Sequence, residues 1–243
     1  MISDLMARTL PRLRRQAGTL ELDALREAGR LALGVDCLAV SLLTTDTGRR
    51  EPLWYSGALA RRFEDIEYVL GSGPSGEAAA RGRPVLVPDL AATRAERWPM
   101  LAAESAPLPV LAVFCFPLGV GAVHLGTLTA VRRTRGPLTG AQTDDAFALA
   151  AAITSLCLAV PDHDAGTPEE DPPALLRAVV HQATGMLSVQ LGVPLSEALA
   201  RLCACAYASG RPVGDISRDI VDRRLRLGEN EERNSFGREG PAP

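Results

Sequence analysis

The stretch Pro173-Ala-Leu-Leu-Arg-Ala-Val-Val-His-Gln-Ala-Thr-Gly-Met-Leu-Ser-Val-Gln-Leu191 repeats its apolar residues at Leu176, Val180, Ala183, Leu187 and Leu191. Steps of three and four place these on one face of a 3.6-residue period, which predicts an amphipathic helix ended by Gly192. A second helix follows Pro194, with Ser196 as its cap and Leu195, Ala198, Leu199, Leu202, Cys205 and Ala206 as its apolar stripe. Gly210 closes it. A third helix has Pro212 in its first turn, where the missing N–H costs nothing, and buries Val213, Ile216, Ile220 and Leu227. Three such helices joined by short Gly/Pro breaks must pack on each other or on a partner chain.

The segment Arg177-Ala-Val-Val-His-Gln-Ala-Thr-Gly-Met-Leu187 resembles the first helix of the ANTAR family, small RNA-binding modules that regulate bacterial transcription by antitermination. Ser196-Glu-Ala-Leu-Ala-Arg-Leu202 and Val213-Gly-Asp-Ile-Ser-Arg-Asp-Ile-Val221 are similar to its second and third helices. The family usually carries Lys between the Ala and the Gly of the first helix, where this chain has Thr184. The resemblance implies an RNA hairpin in a transcript leader as partner. Arg177, His181, Gln182, Thr184, Gly185 and Ser188 are the candidate RNA contacts of the first helix, since they set polar groups beside a glycine that permits close backbone approach. Arg211 and Arg218 are candidates for phosphate contact. On the third helix Asp215/Arg218, Asp219/Arg223 and Asp222/Arg226 fall at i,i+3 or i,i+4, the spacing of a solvated face that pairs with itself.

Upstream of this unit, residues 1–16 place Ile2, Leu5, Met6, Leu10 and Leu13 on one stripe with Arg8, Arg12 and Arg15 opposite, an amphipathic helix with nothing local to pack against. A helix over about 19–33 leads to a strand at Cys37–Leu43, a polar turn, and a returning strand at 51–56. A helix over 60–70, a glycine-rich loop into a short Ala-rich helix, a short strand at 84–87 and a helix near Pro99 follow. The apolar runs 110–118 and 123–131 are buried adjacent strands, and Thr139 with Gln142 forms a capping box for a helix to about Val160. This order is that of an α+β domain with an antiparallel sheet. Leu70-Gly-Ser-Gly-Pro-Ser-Gly-Glu-Ala78, Pro84-Val-Leu-Val-Pro-Asp-Leu90, Arg97-Trp-Pro99 and Ala112-Val-Phe-Cys-Phe-Pro-Leu118 resemble the GAF sensor domains that precede ANTAR modules in bacterial regulators. That resemblance implies a pocket for a small molecule or other signal between sheet and helices.

The resulting division is an amphipathic helix at 1–18, a GAF-like sensor at 19–160, an acidic linker at 161–172, an ANTAR-like three-helix module at 173–227 and a disordered tail at 228–243. Ligand pockets are mostly apolar with a few polar anchors, so Trp54, Trp98, Phe114, Phe116 and His124 are the candidate pocket residues. Gly71, Gly73 and Gly76 satisfy G-x-G-x-x-G, but a polar helical segment with Glu64, Asp65 and Glu67 precedes them instead of a strand, which makes a structural turn the expected reading.

With 243 residues, 47% of them apolar, the chain has enough material for folded cores. All 26 basic residues are Arg, and the net charge of -3 hides a gradient. Residues 173–227 hold seven Arg against Glu197, Asp215, Asp219 and Asp222, about +3, a mild polarity compatible with nucleic acid. Five cysteines among apolar neighbours read as reduced core residues, and the uncharged run 146–160 is too short to span a membrane, so a cytoplasmic protein is expected. His124, His163 and His181 lack ligand spacing with Cys or carboxylate, so no metal and no cofactor are expected. Ser72, Ser75, Asp89 and His124 lack a nucleophile elbow, and an enzyme is not expected. The helix at 1–16 and the uncharged face Phe147, Ala150, Ile153, Leu156 and Cys157 carry more apolar surface than one sensor needs, which points to a homodimer.

Overall fold

Strict alternation along the two central strands sorts their side chains into two cores. The computed structural model describes residues 2–13, 19–44, 50–93, 96–159 and 172–227, in two compact units that divide between Ala165 and Gly166. The first unit has one antiparallel sheet of β1 (Cys37–Leu43), β2 (Arg50–Tyr55), β3 (Val85–Val87), β4 (Ala112–Val120) and β5 (Val123–Arg132), in the order β2-β1-β5-β4-β3. Helices α1 (Asp4–Leu13), α2 (Thr19–Leu33) and α6 (Gly140–Ala159) lie on one face, and α3 (Ala58–Leu70), α4 (Pro74–Arg81) and α5 (Leu101–Ser105) on the other. From β4, Ala112, Phe114, Phe116 and Leu118 enter the first layer with Leu38, Val40, Trp54, Leu128 and Leu149. Val113 and Cys115 enter the second with Ala39, Phe63, Ala78 and Val131. A strand covered on both faces has few positions for polar residues, which is why 110–118 is a nearly unbroken apolar run, while β5 sends Leu128 and Ala130 into the first layer and the buried hydroxyls of Thr127 and Thr129 to the other side.

The ends of the elements are fixed by polar contacts. Gln142 N–H donates to Thr139 Oγ1 at 3.2 Å and Thr139 N–H to Gln142 Oε1 at 2.9 Å, a reciprocal capping box at the start of α6. The buried Arg132 guanidinium donates to the carbonyls of Leu33 and Gly34 at the end of α2 and of Gly136 and Pro137 ahead of α6, at 3.0–3.4 Å.

The N-terminal helix does pack locally, contrary to the expectation for residues 1–16. Met6 is fully buried in the core with α2 and α6, Ser3 Oγ accepts from Met6 N–H at 3.2 Å, and Ser3 N–H donates to the buried Asp145 at 2.7 Å. On α6, Ala150 and Ile153 are buried and Leu156 and Cys157 half-buried, so only part of the supposed free face is open; Phe147 and Leu158 remain exposed at 47% and 56%.

The second unit is α7 (Pro172–Leu191), α8 (Leu195–Ser209) and α9 (Val213–Val221), joined by left-handed Gly192 and Gly210. Val180, Ala183, Leu187, Leu199, Leu202, Ala206, Ile216 and Ile220 are its buried residues of largest consequence. Ser196 is not a cap: Pro194 holds that position with extended backbone and no side-chain hydrogen bond. The third helix stops at Val221, because Arg223 adopts φ 60°, and Leu227 is half-buried beyond it with its carbonyl accepting from Gln190 Nε2 at 3.0 Å. Residues 161–171 of the expected linker, with His163, and residues 228–243 lie outside the described residues, and Pro172 already belongs to α7.

Phe116 is fully buried and meets Phe147 edge-on at 5.3 Å between ring centroids. Phe116→Ala is expected to reduce the unfolding free energy by about 3–5 kcal/mol, the range for emptying an aromatic site that collapses only partly. Urea melts of the two proteins measure it.

Candidate functional site

The apolar stripe of α3 runs through Ala60 and Phe63 and then continues with acids, Glu64 and Glu67, at the positions that 3.6-residue spacing turns inward. Both carboxyls are enclosed, 4% and 0% exposed. Buried carboxylates need donors or a counter-charge, and neighbouring elements bring both. Ser41 Oγ donates to Glu64 Oε2 at 2.7 Å and Thr129 Oγ1 to Glu64 Oε1 at 2.6 Å. Arg50 on β2 reaches Glu64 Oε2 at 3.4 Å with Nη1, which also donates to Ser75 Oγ. Ser75 in turn donates to Glu67, from its N–H to Oε1 at 3.0 Å and from its hydroxyl to Oε2. Thr127 Oγ1 completes the set with a 3.1 Å bond to Ser75 O.

Burial pushes the Glu67 carboxyl up to about 7; Arg50 opposes this and Glu64 adds to it. Burial alone weakens the charge of Arg50, but Glu64 and Glu67 beside it hold its protonated form more firmly than usual. The Cys115 thiol is pushed far up by burial, then by Glu67 and Glu64, so it is an inert core thiol.

The glycines 71, 73 and 76 shape the turn around this cluster. Gly71 ends α3 at φ 66° with its N–H on Glu67 O at 2.9 Å. Gly73 has extended backbone, and its constraint is space: a Cβ there would stand 2.0 Å from Glu67 Oε1. The Ser75 amide in the first turn of α4, where an anion would be received, is already bonded to Glu67, which fits a structural turn and not a pyrophosphate cradle.

Against the turn lies a cavity of about 550 Å³ whose walls include Leu43, Arg50, Glu67, Tyr68, Gly73 and Trp98. Two of its walls, Glu77 and Trp98, are tied together by Arg97, which holds both oxygens of Glu77 at 2.6 and 3.0 Å with its guanidinium 4.4 Å from the Trp98 ring centroid. Of the five expected pocket residues, only Trp98 lines this cavity. Trp54, Phe114 and Phe116 belong to the core on the opposite face of the sheet, because alternation turns them that way. His124 is spent on α4, with Nδ1 2.6 Å from Ala79 O and its ring where a side chain on Gly82 would lie. Arg50, Glu64, Glu67 and Ser75 were not anticipated; the signal for the acids was their position on the apolar stripe of α3.

In the second unit α7 turns His181, Gln182, Gly185 and Val189 outward within about 100° of arc, from a rotation of about 100° per residue. A Cβ on Gly185 would meet nothing within 4 Å, and Val189 is 86% exposed. The other candidates are placed differently. Thr184 is 3% exposed on the packed face with its hydroxyl donating to Val180 O at 2.7 Å, so the position is a core position and not the surface charge site expected. Ser188 is half-buried and donates to Val193 O at 2.6 Å, which ties down the turn after α7. Arg211 and Arg218 are exposed but paired, with Asp219 at 2.6 Å and Asp215 at 2.5 Å. Asp219 and Asp222 also hold Arg224, at 2.9 and 2.8 Å. These replace the expected Asp219/Arg223 and Asp222/Arg226 pairs, since the helix needed for that spacing has ended. Arg211 and then Arg224 hold the Asp219 carboxyl below its ordinary range. The side chain of Arg177 lies outside the described residues.

Among the described residues no cluster of three or more His, Cys, Asp or Glu has metal-binding geometry, and no helix is long and apolar enough to cross a membrane.

Family models match the chain twice, the GAF domain over residues 21–160 and the ANTAR domain over 175–221. No curated protein matches it. Among solved structures it is similar to the GAF domain of an Acinetobacter phosphoenolpyruvate-protein phosphotransferase, at 17% identity and TM-score 0.49 over 65% of this chain and 95% of that one. A domain of a putative two-component sensor histidine kinase from Sinorhizobium meliloti matches at 16% identity and TM-score 0.47, over 59% and 92%. The free methionine-R-sulfoxide reductase of Neisseria meningitidis matches at 16% and 0.48, over 65% and 90%.

The turn offers a paired test. Gly73→Ala should cost about 1–3 kcal/mol, the usual penalty for overpacking, because the added methyl meets the Glu67 carboxyl. Gly76→Ala should be neutral or stabilising by up to about 1 kcal/mol, since its Cβ would stand 3.7 Å from Arg50 in a helix that favours Ala. Denaturant midpoints of the two variants against the parent decide it.

Proposed function

Because the chain belongs to the GAF-domain family and carries an ANTAR domain behind its GAF domain, we propose that it is a cytoplasmic, signal-responsive regulator that binds RNA hairpins and acts on transcription by antitermination. In this reading it is not an enzyme: the GAF domain senses a small molecule or other signal, and the ANTAR domain meets the RNA. The observation that carries the RNA reading is the outward face of α7, where His181 and Gln182 flank a glycine with open space above it. Mid-helix Gly costs about 0.5–1 kcal/mol relative to Ala, and nothing within its own fold requires this one, which supports a partner that approaches the backbone closely. Unstacked bases of a hairpin loop are such a partner.

A second reading, an interaction module that never meets RNA, draws on the arginines. Arg201, Arg211, Arg218 and Arg224 each already face an acid of the same unit. Exposed pairs of this kind contribute at most about 1 kcal/mol and exchange readily for phosphate, so the RNA reading remains the better supported.

The full-length protein, titrated with a pool of hairpin RNAs at two salt concentrations, should prefer hairpins over loop-scrambled controls. A log–log salt slope of roughly -2 to -3 is expected from the about three net positive charges of residues 173–227 at 0.7–0.9 per phosphate. Gly185→Val should weaken the preferred hairpin while leaving helicity intact; equal binding of native and scrambled loops would leave the interaction module as the reading.

We also propose a homodimer, with Ile2, Leu5, Phe147 and Leu158 as the exposed apolar residues it would cover. Light scattering is expected to give twice the chain mass at micromolar concentration, and a monomer at high micromolar concentration overturns the dimer.

A further inference from the structure

Glu64 and Glu67 face one guanidinium. Arg50 touches Glu64 directly and reaches Glu67 through the hydroxyl of Ser75. Around Glu67, α3 contributes Glu64, β2 contributes Arg50, β4 contributes Cys115, and α4 and β5 contribute the hydroxyls of Ser75, Thr127 and Thr129. Two carboxylates and one guanidinium leave one negative charge uncompensated in an enclosed volume, and a buried charge of that kind is relieved by taking up a proton. We propose that this cluster is a proton-binding site, with one proton held by Glu67 beside Glu64, and that its loss opens the turn over residues 71–75 that covers Glu67; given the sensor reading above, the proton is then itself an input.

The covering group is Gly73. Its backbone lies so close over Oε1 that a side chain would collide at 2.0 Å, and Gly71 at φ 66° is the pivot beside it. With the proton bound, Glu67 is a neutral acid that can donate to Ser75 Oγ, and the cluster carries no net charge. When the proton leaves to solvent, the hydroxyl again donates to Oε2 and accepts from Arg50, but the pair now carries the extra charge. Water is the remaining source of stabilisation, and Gly73 is the cover it must pass.

The direction with pH follows from linkage. Folding raises the Glu67 carboxyl from an ordinary value of 4.5 to about 7, so the folded chain binds the proton more tightly than the unfolded chain. The stabilisation is complete below the ordinary value and is lost as pH rises through the folded one.

Hydrogen–deuterium exchange of the full-length protein, corrected for intrinsic rates, tests this at about pH 6 and about pH 8, on either side of the folded midpoint. Amides of residues 71–73, 75 and 76 should exchange at least about fivefold faster at the higher pH in the wild type and equally at both in Glu67→Gln, where no proton can be lost. An equal change in both proteins, or none in the wild type, overturns the proposal. Should Glu67→Gln fail to fold, Glu64→Gln serves instead: with one carboxylate gone, Arg50 stabilises the ionised Glu67 alone, and the exchange step must move to lower pH. A step that stays in place overturns the shared site. Failure to bind any RNA would overturn the function proposed above and leave these outcomes unaffected.

Discussion

The first unit depends on a sheet that is covered on both faces. Away from their exposed hairpin end, its central strands β4 and β5 are covered on both sides, so the residues they contribute there must be small, apolar or paired, and each face must be matched by its own helices. The split is unequal. One face is filled by Phe114, Phe116, Trp54 and the leucines of α2 and α6, a mainly apolar layer with Arg132 and Asp145 buried at its edge. The other mixes Phe63, Leu101 and Trp98 with the hydroxyls of Ser41, Thr127 and Thr129, and it is there that the cavity lies.

That division explains where charge can be placed. β-branched hydroxyl residues fit a pleated surface and donate without bringing charge, so the sheet offers donors to acids that must come from elsewhere. α3 supplies them, one turn apart, and β2 at the sheet edge supplies the single Arg50. Breaking such a network by deleting one partner is more costly than never having built it, since the remaining charge has no escape. A buried polar cluster beside a cavity is therefore a poor choice for stability alone.

Much of this was legible in the sequence. Element order, the two apolar strands, the Thr139/Gln142 box and the three C-terminal helices follow from periodicity and from turn residues, which are local properties. The pocket residues were not legible, because an aromatic side chain announces burial but not which face of a sheet receives it: Trp98 and Trp54 read alike and lie on opposite sides. Glu64 and Glu67 were hidden by the same habit in reverse, since acids in a helix are read as solvent-facing unless their register with Ala60 and Phe63 is weighed first. Thr184 was misplaced because its neighbours Gln182 and Gly185 are outward, and one residue is a rotation of about 100°. The arginine pairs shifted because Arg223 turns the chain, an event that no repeat of charges foretells.

Arg132 has a mechanical consequence. One planar guanidinium grips the end of α2 and Gly136 and Pro137 in the loop that leads from β5 to α6, so the approach to α6 is clamped. At 20 residues the helix is a rod of about 30 Å, and a tilt of about 5° at the clamp sweeps its free end through roughly 3 Å. The joint with β5 is the fulcrum of such a tilt, and Ala146, Leu149, Ala150 and Ile153 seat the rod on the sheet beyond it. A lysine at 132, with one compact ammonium, has no comparable fork with which to span both sides of the joint, and the fulcrum would be soft.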